Sequence, residues 1–399
     1  MFEATGQVLY SIWSRFFWVI LPVAAFFIYR TAKHNYEKTV KGPAKWKLLE
    51  VRVPKDMLKT PKAMEQVFSA AYGVDDKISF EILGKGGEAR FLIRLPEDYK
   101  NLIESSVYAQ YPDAEIYEVA GEDDYINGLP GELPDEIYDI YGVELKLKNK
   151  DPYPIRTYPA FEENVEERRV DSIAALLEAI SKLHTQEQVW IQIILQPAKD
   201  KLKDTWKKEA EEIINKFIGK KEKPTPPLFG ITGKDVMNAV WSSGPPEEEK
   251  KKDDKKPDIT SGQKDIMKAI EEKLAKFGFK ATIRIIYFGP HERFSKNHII
   301  AVSGSFRQFN TQNMNSFEED KEAVTAIKKG FRKEERAYNR KTKILAAYRS
   351  LFTKDKSFIL NTEELATIYH FPITGTGASS LTKVSSKKGG PPSALPIIE

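Results

Sequence analysis

From residue 45 the chain switches repeatedly between two periodicities, with apolar residues at every second position or at every third and fourth. The first pattern predicts a strand with one buried face, the second a helix with one buried stripe. KWKLLEVRVP (45–54) alternates as a strand, and TPKAMEQVFSAAYGV (60–74) places Met64, Val67, Phe68 and Ala71 on one helical face. Thr60 is a natural N-cap, and Pro61 suits the first helical position, where its missing N–H is no loss. KISFEIL (77–83), a glycine turn (84–87) and EARFLIRL (88–95) follow, then a helix from Pro96 to Tyr108 and a closing strand AEIYEV (114–119). The order β-α-β-β-α-β predicts the split βαβ arrangement, in which two helices cover one face of a four-stranded antiparallel sheet.

A second α+β series starts near Gly142 with VELKLKN, followed by a helix SIAALLEAISKLH (172–184), a strand QVWIQIILQP (188–197) and a long charged helix over 199–217. Residues 221–262 then carry six prolines and the run EEEKKKDDKK (247–256), a composition too poor in apolar surface to order itself, so this stretch is expected to be a disordered insertion. The pattern resumes with a helix (265–278), a strand KATIRIIYF (280–288) and an amphipathic stretch IIAVSGSFRQFN (299–310). The expected fold class is therefore α+β: a first ferredoxin-like domain over 46–125, a second over 140–372 completed across the insertion, and a Gly/Ser/Lys/Pro-rich flexible linker over 373–399.

Ahead of these domains, residues 8–29 read VLYSIWSRFFWVILPVAAFFIY, with Arg15 the one charge. At about 1.5 Å rise per residue such a stretch spans a hydrocarbon core of about 30 Å. The predicted anchor is built from Phe16, Phe17, Trp18, Ile20, Leu21, Pro22, Phe26, Phe27 and Tyr29, and Arg30, Lys33, Lys38 and Lys41 follow directly. An excess of cations marks the cytoplasmic flank. Residues 1–45 are thus expected to form a single-pass anchor and basic juxtamembrane segment in the inner (cytoplasmic) membrane, N-terminus outside and the bulk in the cytoplasm. A cleaved signal peptide fits less well, because no basic region precedes the apolar stretch and no small-x-small site follows Tyr29.

Composition narrows the chemistry. The 399 residues include no cysteine and five histidines, which excludes disulfides and thiolate metal sites, and the net charge of +4 names no polyanionic partner. GKGGEAR (84–90), GITGKD (230–235) and GTGASS (375–380) hint at phosphate loops, but none has the G-x-x-x-x-G-K-[ST] spacing that cradles phosphates. No nucleophile elbow or HExxH is present, so neither an enzymatic activity nor a cofactor is expected. Neighbouring carboxylates such as Asp75–Asp76 and Glu162–Glu163 read as solvated surface, and His370, in ATIYHFP, as a packed or capping residue. The basic segment 330–343 interleaves Phe331 and Tyr338 with cations, and Arg332, Lys333, Arg336, Arg340 and Lys341 are its candidate nucleic-acid contacts.

Three blocks taken together, KWKLLEVRVPKDMLKTPKAMEQVFSAAYG (45–73), FLIRLPEDYKNLIESSVYAQYPDAEIYEV (91–119) and FILNTEELATIYHFP (358–372), resemble the N-terminal, membrane-anchored region of conjugative-transfer or type IV secretion-like ATPases (HerA-FtsK-type) of candidate-phylum bacteria. The resemblance implies a helix ahead of ferredoxin-like domains, and a stretch such as SKKGGPP (386–392) leading toward the motor. The family's Walker motifs would begin where this sequence stops, at Glu399, so no ATP-binding residue carries over. The expected function is a non-catalytic membrane anchor and adaptor of a DNA or protein translocation machine, contacting lipid, assembling as a homo-oligomer and positioning a hexameric-type motor ATPase, fused or in trans. The alternative is a membrane-tethered nucleic-acid-binding protein with DNA as partner.

Overall fold

The computed structural model describes residues 25–26, 45–54, 59–128, 133–161, 171–218, 259–327, 329–354 and 357–372. Within them the chain is mixed α+β, with a nine-stranded antiparallel sheet and eight helices. The strands are β1 (Trp46–Arg52), β2 (Ile78–Lys85), β3 (Glu88–Pro96), β4 (Glu115–Val119), β5 (Tyr138–Leu147), β6 (Gln188–Pro197), β7 (Gly278–Pro290), β8 (Phe317–Glu319) and β9 (Phe358–Asn361). The helices are α1 (Pro61–Ala71), α2 (Lys100–Gln110), α3 (Ala174–Ser181), α4 (Asp200–Ile218), α5 (Ser261–Leu274), α6 (Lys296–Ser305), α7 (Lys333–Arg349) and α8 (Thr362–Ile368).

The sheet runs β4-β1-β3-β2-β6-β7-β5-β8, so the order of the first four strands is repeated in reverse by the next four. The two sets meet where β2 pairs with β6 over its whole length, from Ile78 opposite Leu195 to Lys85 opposite Gln188. One sheet therefore passes through both halves. Alternate residues of every long strand build a single apolar core on one face, beneath α1, α2, α3, α6 and α8, which includes Phe68, Phe80, Ile93, Ile191, Ile283 and Tyr369. β7 is long enough to pair on its second edge with β5 over 283–290 and with β9 over 278–281.

Several local expectations are met and others shift. Thr60 adopts an extended backbone before Pro61, but its hydroxyl makes no capping hydrogen bond. The β2–β3 turn tightens to Gly86 and Gly87, whose φ of 57° and 85° suit a two-residue hairpin of the primed type. β5 begins at Tyr138, ahead of the expected Gly142, and the stretch 299–310 is helical, as α6 and a 3-10 turn over Phe306–Phe309. Residues 259–262, expected within the disordered insertion, are instead the cap and first turn of α5. The Thr260 side chain accepts from Gln263 N while the Gln263 side chain accepts from Thr260 N, a reciprocal box that starts the helix before its first apolar residue.

Residues 221–258 of that insertion, the linker from 373, and the anchor stretch with its cations Arg30, Lys33, Lys38 and Lys41 lie outside the described residues, apart from helical Ala25 and Phe26. Among the described residues no helix is long and apolar enough to cross a membrane.

The C-terminal segment ties the halves together. β9 pairs with β7, whereas Tyr369, just beyond α8, stands edge-on to Phe68, Phe80 and Phe91 at 5.2–6.4 Å and donates its hydroxyl to Leu92 O at 3.1 Å. Asn361 and Glu364 form a capping box at the start of α8. Lys273 of α5, itself buried, meets Glu364 Oε2 at 3.0 Å. Burial pushes the Glu364 carboxyl upward against the pull of Lys273.

Beside this pair, burial pushes the Asp151 carboxyl up to about 6, with Lys273 opposing. A carboxyl that keeps its proton longer when folded makes the native state bind more protons than the unfolded one, so its contribution to stability is complete at low pH and falls as pH rises to about 6. Asp151→Asn keeps the neutral form at every pH. Urea unfolding is predicted to show the variant gaining on the parent by up to about 3 kcal/mol between about pH 4 and about pH 7. A pH-independent difference between the two would contradict this.

Candidate functional site

On the other face of the sheet the alternating positions mix polar with apolar residues, and register brings a mostly polar set of them into one transverse line. Glu50 lies opposite Tyr117 and Leu92, Leu92 opposite Glu81, Glu81 opposite Gln192, Gln192 opposite Arg284, and Arg284 opposite Glu144. Seven strands thus contribute one residue each. Most of this line is buried, because α7 and the segment 120–128 lie across it. Ile344, Leu345 and Tyr348 of α7 pack with Trp190, Ile286 and Phe288. Gly142 permits the close approach, since a Cβ there would stand 2.8 Å from Ile344 Cδ1.

Buried charges need partners, and here they have them. Arg94 Nε meets Glu81 Oε1 at 3.2 Å, while its Nη1 and Nη2 grip Asp124 at 2.6 and 3.0 Å. Burial works against the Arg94 charge, but Glu81 and Asp124 outweigh it and hold the pKa above its usual value. The Tyr125 hydroxyl donates to Glu81 at 2.8 Å and sits 2.7 Å from the Tyr348 hydroxyl. Burial, reinforced by the Glu81 charge, pushes both phenols well above their ordinary range. Further out, Glu50 binds Arg90 and Arg52, and these cations keep its pKa low despite burial.

Toward the second half the same line turns onto the backbone of α7. Arg284, fully buried, gives Nε to Glu144 at 2.7 Å and Nη1 to Gln192 and to Ala347 O at 3.3 and 3.2 Å, and Nη2 to Phe352 O. Gln192 donates to Tyr348 O at 3.1 Å, and Lys77 to Leu351 O at 3.3 Å. The last carbonyls of a helix lack partners inside it and carry its negative end, so a guanidinium placed there satisfies both. Lys354 closes the chain of charges, 2.7 Å from Glu144 and 3.1 Å from Asp320; burial lowers its pKa but the two carboxylates raise it further. Beside α7 runs a cleft of about 690 Å³, lined by Glu144, Glu322, Arg340, Lys343, Phe352 and Lys354 among others.

The five candidate nucleic-acid contacts all fall on α7 or its cap, and the structure divides them. Arg340 donates to Lys321 O and Val324 O, and Lys341 pairs with Asp139, so both fasten the helix. Arg332, Lys333 and Arg336 are exposed at the other end. There Gly330 and Arg332 have positive φ, 129° and 50°, and Phe331 between them is 83 % exposed. His370 is buried, with Nδ1 2.8 Å from Ala366 O and Nε2 2.9 Å from Asp171 Oδ1, the packed residue expected. Among the described residues no group of His, Asp and Glu could hold a metal ion.

The charged line was not read from the sequence. Its signal was present: Glu50, Glu81, Arg94, Glu144 and Arg284 all fall in the polar phase of a strand. That phase usually faces water, and only the placement of α7 and of the segment 120–128, which no local pattern specifies, buries it.

Arg284→Met removes a buried partner of Glu144 and the donor to the carbonyls of Ala347 in α7 and of Phe352 just beyond it. Breaking one side of such a buried set costs about 3–5 kcal/mol, so urea unfolding should show a loss of that size, with early proteolytic cleavage around α7. A loss under about 1 kcal/mol would mean that the guanidinium does not hold the helix.

No curated protein matches the chain. A family model described as a domain of unknown function, DUF8128, matches residues 27–379, which takes in the whole sheet, both of its faces and α7. The chain therefore belongs to the DUF8128 family.

Proposed function

We propose that this chain is a non-catalytic scaffold that mounts a motor ATPase at the cytoplasmic face of the inner membrane, as the anchor and adaptor of a type IV secretion- or conjugation-like translocation machine. The observation that carries the reading is the use made of the buried charges. Arg94, Glu81, Asp124, Arg284 and Glu144 are paired with one another and with the end of α7, an arrangement that fastens a helix to a sheet and leaves no buried acid or base of this set free for proton transfer. The first half has the β-α-β-β-α-β order, the second has the same order with α4 and α5 inserted between β6 and β7, and both have strand order 4-1-3-2; we read the halves as two ferredoxin-like units, 46–125 and 140–372, fused edge to edge. Among the described residues β4 pairs on one side only, with β1, and its other edge suits strand pairing between copies in a homo-oligomer. The N-terminal stretch 8–29 supplies the single-pass anchor, and the motor is either fused or in trans.

A second reading, DNA binding, is favoured by the exposed Phe331, which is followed by three exposed cations, Arg332, Lys333 and Arg336. Aromatic stacking beside cations is how single strands are held without sequence preference. Under this reading, replacing the three cations by Glu abolishes salt-dependent DNA binding by the full chain. Under the scaffold reading no such binding exists to lose.

The absence of cysteine allows a direct topology test. Thr5→Cys and, at the exposed position 123, Asp123→Cys are each introduced into the full chain and treated with a membrane-impermeant maleimide on intact cells. Labelling at 5 and protection at 123 until the membrane is opened is the expected result, with the protein retained in membranes after alkaline carbonate washing. Labelling at both positions, or release by carbonate, would contradict the anchored scaffold.

A further inference from the structure

Where the two halves meet on the helical side, a cavity of about 300 Å³ lies between the end of α1, the first turns of α4 and the α5–β7 junction. Its walls include Tyr72, Lys203, Trp206, Lys207, Lys276 and Phe277. Trp206 is 3 % exposed, and its Nε1 is a buried donor that meets no acceptor among the described residues. Leaving such a donor unsatisfied costs about 1–3 kcal/mol, a penalty that sites built for a ligand tolerate. The ring is held in place, since a Cβ on Gly278 would come within 2.7 Å of its Cζ3.

The other polar groups around Trp206 are also donors. Lys203 and Lys207 stand one turn apart on α4, exposed at the cavity, and neither makes an ion pair among the described residues. Lys276 adds a third ammonium but is already held by Glu65 at 2.7 Å and by Glu363. Lys199, 5.7 Å over the Tyr72 ring, is engaged with Asp75. The Tyr72 hydroxyl donates to Ala198 O, so its proton is committed, and its ring stacks on Phe277 at 4.4 Å. Indole N–H and ammonium groups only donate. A cavity walled by free donors and aromatic surface selects a ligand that brings acceptors and negative charge.

We propose that this cavity is a binding site for a small oxyanion, a phosphate or carboxylate group, held by Trp206 Nε1 and the ammonium groups of Lys203 and Lys207, with the Tyr72–Phe277 stack as its apolar wall. Because Tyr72 follows α1 of the first half while the lysines belong to α4 of the second, the bound anion bridges the two. Charge-assisted hydrogen bonds of this kind are individually strong, so losing both lysines weakens binding by about tenfold or more.

The probe is inorganic phosphate, titrated at constant ionic strength into the full 15N-labelled chain and followed through the six tryptophan indole resonances, the one missing in Trp206→Phe being Trp206. The expected result is a saturable shift of that resonance, weakened about tenfold in Lys203→Gln/Lys207→Gln, a pair of surface changes that leave the core intact. Acetate is titrated in parallel: preference for phosphate identifies a phosphate-bearing ligand, and preference for acetate a carboxylate. No saturable shift with either anion, or a shift of equal affinity in the double variant, would overturn the site.

Discussion

The pairing of β2 with β6 is the constraint on which the rest depends. It runs the full length of β2, from Ile78 to Lys85, and converts two four-stranded sets into one sheet whose centre is doubly covered. Once that seam exists, Glu81 and Gln192 face each other across it, and the charged line can pass from Arg94 in one half to Arg284 in the other. On the opposite face the same seam brings Phe80 and Ile193 into a shared core, over which Tyr369 can close. A chain that lost the seam would expose the apolar edges of two interior strands, a state prone to pairing with other chains.

Two fastenings reinforce the seam, one on each face, and they differ in kind. On the helical face the C-terminal segment leaves β7 as β9 and ends with Tyr369 and Phe371 among aromatic rings of the first half, a contact of area and shape. On the second face α7 is held by directed bonds: Arg284 and Gln192 to its final carbonyls, Arg340 and Lys341 along its shaft. Buried ion pairs of this sort add little net stability compared with apolar packing, but they strongly penalise any other placement of the helix. Directed bonds thus fix where α7 sits on the sheet.

Most strands and helices were legible because each obeys one period: KISFEIL and KATIRIIYF alternate, and PKAMEQVFSAA carries a helical stripe. The β-α-β-β-α-β order of the first half followed directly, whereas in the second half α4 and α5 interrupt it between β6 and β7. What the period could not convey was which half of an alternation faces water, so Glu81 and Arg284 read as surface although both are buried. Nor could composition locate the start of α5, where a hydrogen-bonded box between Thr260 and Gln263 overrides a polar neighbourhood. The candidate basic segment was found as a segment, but its residues split between structural and exposed roles because α7 spends Arg340 and Lys341 on its own attachment.

If the seam joins the halves into one cooperative body, native-state hydrogen exchange should show it. Amides of β1 and β3 in the first half, and of β5 and β7 in the second, are then predicted to open through the same global event, with one shared free energy and one dependence on urea. Exchange of the first set at a lower free energy than the second, with a smaller urea dependence, would mean that the halves unfold separately and that the single-scaffold account is wrong.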